Sequence, residues 1–109
     1  MSNTITGPVK AYFEARNARN FERALSGFAE DAVVRDESRM HRGLDEITAW
    51  MTETIAAYDD RSELRAVENK GDHVIATAEV SGHFPGSPII LRYRFKMKDG
   101  AIASLEIAP

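Results

Sequence analysis

With 109 residues the chain has room for one domain, and its 43 % hydrophobic and 28 % charged residues are those of a folded globular protein rather than a disordered one. A net charge of −3 argues against a nucleic-acid partner, because phosphate binding needs concentrated positive charge. The absence of cysteine excludes a disulfide framework, a thiolate metal site and a cysteine nucleophile.

The N-terminal stretch MSNTITGPVKAYF has no apolar run long enough for a signal peptide or a membrane span, so no membrane partner is expected and a cytoplasmic location is the default. Thr6 followed by Pro8 marks a helix start, since proline is tolerated in the first turn, where its missing N–H has no partner to lose. Val9, Tyr12 and Phe13 then form one apolar face, with Glu14, Arg16 and Arg19 placed outside it. Asn20 reads as the N-cap of a second helix, in which Phe21, Ala24, Leu25 and Phe28 recur at i, i+3, i+4 and i+7. A short strand over 32–36 leads through a polar turn to Arg42-Gly43. A third helix follows, with Leu44, Ile47, Met51, Ile55 and Tyr58 as its buried stripe and Trp50 at the edge.

From residue 62 the period changes to two, with Leu64 and Ala66 alternating with charged residues before a turn at Lys70-Gly71-Asp72. HVIATAEVSGHF (73–84) reads as a long strand in which Gly82 marks a bulge or bend. After a loop at 84–88 come a strand over 89–97, a hairpin turn at Asp99-Gly100 and a return strand over 101–107. Alternation turns Val74, Ala76, Ala78, Val80, Ile89, Leu91, Tyr93, Phe95, Ala103, Leu105 and Ile107 inward. Arg92, Arg94, Lys96, Thr77, Glu79, His83 and Glu106 face out, so RYRFK reads as a salt-bridged surface or dimer interface rather than a nucleic-acid patch. Three helices followed by an antiparallel meander is an α+β pattern, with the helices covering one face of a curved sheet. Few polar groups reach that inner face, namely Asp36 and the hydroxyls of Tyr12, Tyr58 and Tyr93.

The stretch YFEARNARNFERALSGFAEDAVVRD, a turn and RGLDEITAWM together resemble the opening of the nuclear transport factor 2-like, or SnoaL-like, superfamily. FPGSPIILRYRFKMKDGAIASLEI is similar to the ending of many of its small members. The resemblance covers essentially all of residues 1–109 as one domain, and it implies a cone-shaped roll of cystatin-like type, open at one end. It also implies a homodimer built on the outer face of the sheet. The superfamily includes steroid isomerases, polyketide cyclases, dehydratases, epoxide hydrolases and transport adaptors. Counting without a gap from the first-helix tyrosine, Tyr12 falls on the oxyanion-hole tyrosine of ketosteroid isomerase and Asp36 on its general base. A carboxylate in an apolar cavity takes a proton from carbon beside a carbonyl, and a buried hydroxyl stabilises the enolate oxygen that forms. The second acidic donor has no equivalent, because Leu91 or Arg92 stands in its place, and Met51 replaces the supporting tyrosine. Half of the oxyanion hole is missing, which argues against true steroid isomerase activity.

Asp36 therefore reads either as a catalytic base or as a turn residue that accepts N–H groups from Ser38-Arg39 or pairs with Arg39. Tyr12 reads as a pocket donor or as a core tyrosine with a structural partner. His41 orients substrate or is an exposed loop histidine, while His73 and His83 lie on the outward face. The three histidines have no spacing that gathers them with carboxylates, and GHFPGSP is not a phosphate loop, so no metal and no cofactor is expected. The expected enzyme uses Asp36 and Tyr12 on a small apolar carbonyl compound, in a cavity shaped by Phe28, His41, Trp50, Met51, Leu91, Tyr93 and Leu105. The alternative is a member of the same fold that binds a hydrophobic ligand or serves through dimerisation, without turnover. A cone filled by Trp50, Phe28 and Tyr93, with no solvent route to Asp36, would exclude the enzyme.

Overall fold

A computed structural model describes residues 7–109, so the helix start expected at Thr6 lies outside the described residues. The elements are α1 (Gly7–Asn17), α2 (Phe21–Leu25), β1 (Phe28–Asp36), β2 (Arg39–Arg42), α3 (Gly43–Tyr58), β3 (Arg61–Lys70), β4 (His73–Ser81), β5 (Ile89–Lys98) and β6 (Ala101–Ala108). Six strands form one curved sheet in the order β2-β1-β6-β5-β4-β3. β1 runs parallel to β6, and the other neighbours are antiparallel. The expected α+β architecture of helices against a curved sheet is the one observed.

Local chemistry accounts for the helix limits. Asn20 caps α2, its side-chain oxygen accepting from the Arg23 N–H at 3.1 Å. The Glu46 carboxylate accepts from the Arg42 N–H at 2.7 Å, which satisfies an orphan donor at the start of α3. Asp59, in the left-handed region at φ 47°, ends α3 by donating its N–H to the Ile55 carbonyl.

The strand expected over 32–36 begins earlier, at Phe28. The helical spacing that assigned Phe28 to the second helix overran a helix that stops at Leu25. At Gly27 the chain passes so close to α1 that a Cβ would lie 2.4 Å from the Cβ of Pro8, and the Gly27 carbonyl accepts from the Ile102 N–H. Residues 39–42, expected as turn, form β2 and pair back on β1 from Val33↔Arg42 to Asp36↔Arg39. The hairpin turns at Glu37 and Ser38, both at positive φ (53° and 65°). Such two-residue turns normally carry Asn or Gly, so the sequence held no signal for this one. Register shifts also move two side chains. Between Leu64 and Ala66 the ladder slips, leaving Ala66 exposed and Val67 partly buried. A shift after Lys96 puts Ile102, rather than Ala103, fully inside.

The core sits between α1, α3 and the concave face of the sheet. Val74, Ala76, Ala78 and Val80 of β4 are all buried, as alternation requires. Tyr12 and Phe13 of α1 meet Phe28, Tyr93 and Phe95 edge-on, with ring centres 5.0–5.8 Å apart. On α3 the buried residues are Ile47, Trp50 and Met51, while Leu44, Ile55 and Tyr58 are half-buried, so Trp50 points inward rather than lying at the edge. On the outer face Glu79 is ion-paired with Arg65 and Glu106 lies 3.9 Å from Arg35, which leaves Arg92 and Arg94 exposed.

One close approach shapes the open end of the roll. The His83 N–H donates to the Tyr58 carbonyl at 2.7 Å, and a Cβ at Gly82 would lie 2.7 Å from that same oxygen and 3.1 Å from the Asp60 Cα. Gly82→Ala must push the exit of β4 away from the α3–β3 corner. We expect it to lower stability by about 1–3 kcal/mol, the range for overpacking. The readout is the urea midpoint at constant slope, and an unchanged midpoint would show that the corner yields freely.

Candidate functional site

At the open end the concave face does not close, and a cavity of about 400 Å³ remains. Helical spacing brings two sets of side chains to it. Tyr12 and Arg16 are one turn apart on α1, while Trp50, Thr54 and Tyr58 follow one another at four-residue intervals on α3. Asp60 enters from the corner just past the left-handed Asp59. Asp36 and Glu37 come from the tip of β1, Leu91 and Tyr93 from β5, and Phe84, Pro85 and Ile89 form the rim.

Asp36 is half-buried, and its Oδ2 accepts the indole N–H of Trp50 at 3.0 Å. Among the described residues its other oxygen accepts no hydrogen bond and no cation pairs with it. The structure therefore gives the carboxylate an indole partner, not the Arg39 charge or the turn amides. Tyr12 is buried, and burial pushes its hydroxyl well above the usual tyrosine range, against the opposing pull of Arg16. Burial raises the Tyr93 hydroxyl too, while a hydrogen bond with the Ser62 side chain and the Arg16 charge oppose it. Both phenols thus stay protonated near neutral pH and are able to donate.

Sequence patterning missed the strongest electrostatic feature of the site. Arg16, expected on the outside of the first helix, is only 5 % exposed, and Asp60 only 7 %. Arg16 Nη1 donates to Asp60 Oδ2 at 2.9 Å, and its guanidinium carbon lies 5.9 Å from the Trp50 ring centre, a cation–π distance. Burial works against the Arg16 charge, but Tyr12 and Asp60 more than offset it, and its pKa lies above the usual arginine value. Position held the one available clue. Arg16 sits four residues after Tyr12 and seven after Val9, on the apolar stripe itself.

Two further ties hold the pair in register. The Asn17 side-chain amide donates to the Ser62 carbonyl at 2.8 Å and its oxygen accepts the Ser62 N–H at 3.0 Å, while Arg19 pairs with Asp59 at 2.8 Å.

Of the residues expected to line the cavity, Asp36, Tyr12, Trp50, Leu91 and Tyr93 do so. Phe28, Met51, Leu105 and His41 do not. Phe28 starts β1 and packs edge-on against Tyr12, while Met51 and Leu105 are fully enclosed in the core. His41 lies on β2, its ring 5.8 Å from the Trp50 ring. Among the described residues no group of three or more His, Asp or Glu side chains has the geometry to hold a metal, and no helix is long and apolar enough to cross a membrane.

A single-point buried pair is weak support for a fold. Arg16 Nε and Asp60 Oδ1 are buried with no hydrogen-bond partner, so the two charges are not fully repaid for leaving water. We expect Arg16→Met alone to cost about 3–5 kcal/mol, because it strands Asp60 in the interior. Adding Asp60→Leu should recover most of that loss, giving a chain about as stable as the parent. Chemical denaturation of the two variants checks this; a double variant no more stable than the single one would make the pair structural.

Comparison with known proteins places this arrangement. Residues 9–105 match the SnoaL-like domain family. A candidate polyketide cyclase of Sinorhizobium meliloti is 37 % identical, with a TM-score of 0.94 over 99 % of this chain and 100 % of that one. A protein of ketosteroid isomerase-like fold from Catenulispora acidiphila, solved with trimethylamine, is 22 % identical at a TM-score of 0.84, covering 97 % of this chain and 87 % of its own. A cystatin-fold protein of Novosphingobium aromaticivorans is 18 % identical at a TM-score of 0.81, covering 100 % and 99 %. No curated protein matches the chain. With the family matched over nearly its whole length, and with helices packed on a six-stranded curved sheet, this chain belongs to the SnoaL-like family of the nuclear transport factor 2-like superfamily.

Proposed function

We propose that the protein is a cofactor-independent proton-transfer enzyme of the isomerase or cyclase type, acting on a small apolar carbonyl compound. The observation that carries this reading is a carboxylate, Asp36, free of any ion pair among the described residues and standing on the wall of an open cavity of about 400 Å³. The cone is not filled by Trp50, Phe28 and Tyr93, the arrangement that would have shut Asp36 off. The likeness to a candidate polyketide cyclase supports the same reaction class.

In this reading Asp36 takes a proton from the carbon beside the substrate carbonyl, and the electron pair of that C–H bond moves into an enolate. Tyr12, protonated and buried, donates to the enolate oxygen. The enolate then either regains the proton from Asp36 at another carbon, an isomerisation, or attacks a second carbonyl carbon within the molecule, whose oxygen takes the displaced electron pair and then the proton from Asp36, a cyclisation. Trp50 ties down one oxygen of Asp36, which leaves the other to face substrate. The place of the isomerases' acidic donor falls on Leu91 or Arg92, of which only Leu91 lines the cavity, and the missing acid favours a second reading in which the cavity binds such a ligand without turnover. The outer face of the sheet, with Arg92 and Arg94 exposed, is the surface on which we place a homodimer.

The test is exchange of α-protons of small cyclic diketones into deuterated buffer, followed by NMR. The protein should accelerate exchange, Asp36→Asn should lower the rate by about 10²–10⁴-fold, and Tyr12→Phe by about 10²-fold. Exchange no faster than in buffer, with the diketone still bound, would replace the enzyme with a binding protein. Sedimentation equilibrium at micromolar concentration should show twice the chain mass, and a monomer there would remove the dimer.

A further inference from the structure

We propose that Arg16 joins Tyr12 in receiving the substrate oxygen, and that the cavity therefore favours compounds whose oxygen gathers or carries negative charge, acidic carbonyl compounds on their way to the enolate and phenols as their anions. The inference rests on the reading of Asp36 as the base only for what happens to such a ligand; the charge preference follows from Arg16 itself.

The cavity has two poles. Asp36 is bound at the edge of the Trp50 indole, through its N–H, and Arg16 lies over the ring face of the same residue. Each charged group has a different partner, Trp50 for the carboxylate and Asp60 for the guanidinium. The two charges thus do not neutralise one another, and both line the space between. A substrate carbonyl compound has the same polarity when it reacts, with an acidic C–H at one end and an oxygen gathering charge at the other.

The guanidinium has donors to spare. Of its five N–H groups, one is engaged with Asp60, and Nη2 makes no hydrogen bond among the described residues. Asp60 grips it at a single point rather than as a fork, so its hydrogen-bonding capacity is only partly used. Tyr12 and Tyr93 stand in the field of the same charge, which opposes the upward push of burial on both phenols. Two neutral donors and one cation therefore serve the same end of the cavity. A hydrogen bond to an ionised oxygen is roughly twice as strong as one to a neutral carbonyl, and more so away from water. In place of the acidic donor absent at Leu91, the molecule has a permanent positive charge entering from α1.

Asp60 is the counterweight. It keeps the buried cation tolerable in the empty cavity and moderates its pull on a ligand. Asp36 and Glu37, both on the wall at the tip of β1, repel an anion, so the ligand oxygen is held at the Arg16 pole and away from the base.

The experiment uses 4-nitrophenol, whose yellow anion reports the ionisation of the bound probe, titrated against the full chain at several pH values. The intact protein should bind the anion in preference, moving the apparent pKa of the probe down by about one unit or more, a tenfold change in its ionisation. Arg16→Met with Asp60→Leu, shown to be folded by its denaturation curve, should abolish the shift. Arg16→Lys keeps the charge but loses the fork, and it should retain part of the shift, which keeps the proposal testable if the double variant fails to fold. Asp60→Asn should enlarge the shift, because it removes the counterweight while keeping the shape; a purely structural pair would lose binding instead. Asp36→Asn should preserve or strengthen anion binding while slowing proton exchange as stated above, so the base and the oxygen site fail separately. The proposal is overturned if the intact protein binds the probe as the neutral phenol or not at all. It is also overturned if the double variant keeps the full shift, or if Asp60→Asn weakens it.

Discussion

The open end of this molecule is built around one buried ion pair, held in place by the neutral contacts beside it. Arg16 on α1 and Asp60 at the α3–β3 corner meet at 2.9 Å inside the roll. Much of the cavity wall hangs from those two elements. Tyr12 is one turn before Arg16, and Trp50, Thr54 and Tyr58 sit on the helix that ends at the corner. Ser62, just past Asp60, is clasped by Asn17 through two hydrogen bonds. Around the buried pair these neutral bonds and the exposed Arg19–Asp59 contact fix the angle between α1 and β3. Exposed pairs contribute little by themselves. The neutral clasp and the packing set the register, which leaves the buried charges answerable to something other than stability.

How much of this was legible in the sequence follows from what each signal measures. Strand alternation records burial on one face, and it located the inward set of β4 without error because that strand runs unbroken. It failed where a ladder slips, at Ala66 and at Ala103, since one extra residue locally changes which side chains share a face. Asn20 was visible as a cap because its side chain acts within three residues. β2 was invisible because its turn, Glu37-Ser38, takes left-handed conformations that sequence rules reserve for Asn and Gly. In the site, Asp36 and Tyr12 were found through a resemblance that keeps their spacing. Arg16 and Asp60 were lost to the rule that charges lie outside, a rule that fails when two of them travel inward together.

A family assignment settles the scaffold and leaves the chemistry to the lining. Here the scaffold supplies rigid positions. The aromatic cluster of Tyr12, Phe13, Tyr93 and Phe95 packs α1 on β5 with rings edge-on, so the Tyr12 hydroxyl is aimed by a side chain that cannot swing. The rim is less constrained, with Pro85 and Ile89 exposed and Glu37 at the tip of a hairpin.

Why the two charged poles do not simply join is the last structural question. A free carboxylate and a guanidinium in one apolar cavity attract strongly, since little solvent screens them. If Asp36 and Arg16 met, the carboxylate would be paired and the cation would lose its spare donors. Two contacts prevent that. Asp60 occupies Arg16 from the corner side, and the Trp50 indole takes Asp36 at its edge while presenting its face to the guanidinium. The indole serves both charges at once, donating an N–H to the anion and its ring face to the cation, and its bulk keeps them apart. Phenylalanine at this position would supply the face without the N–H, leaving the carboxylate free to move toward the cation. The spacing of the poles is therefore a property of Trp50, and it is what allows opposite charges to share one cavity without cancelling.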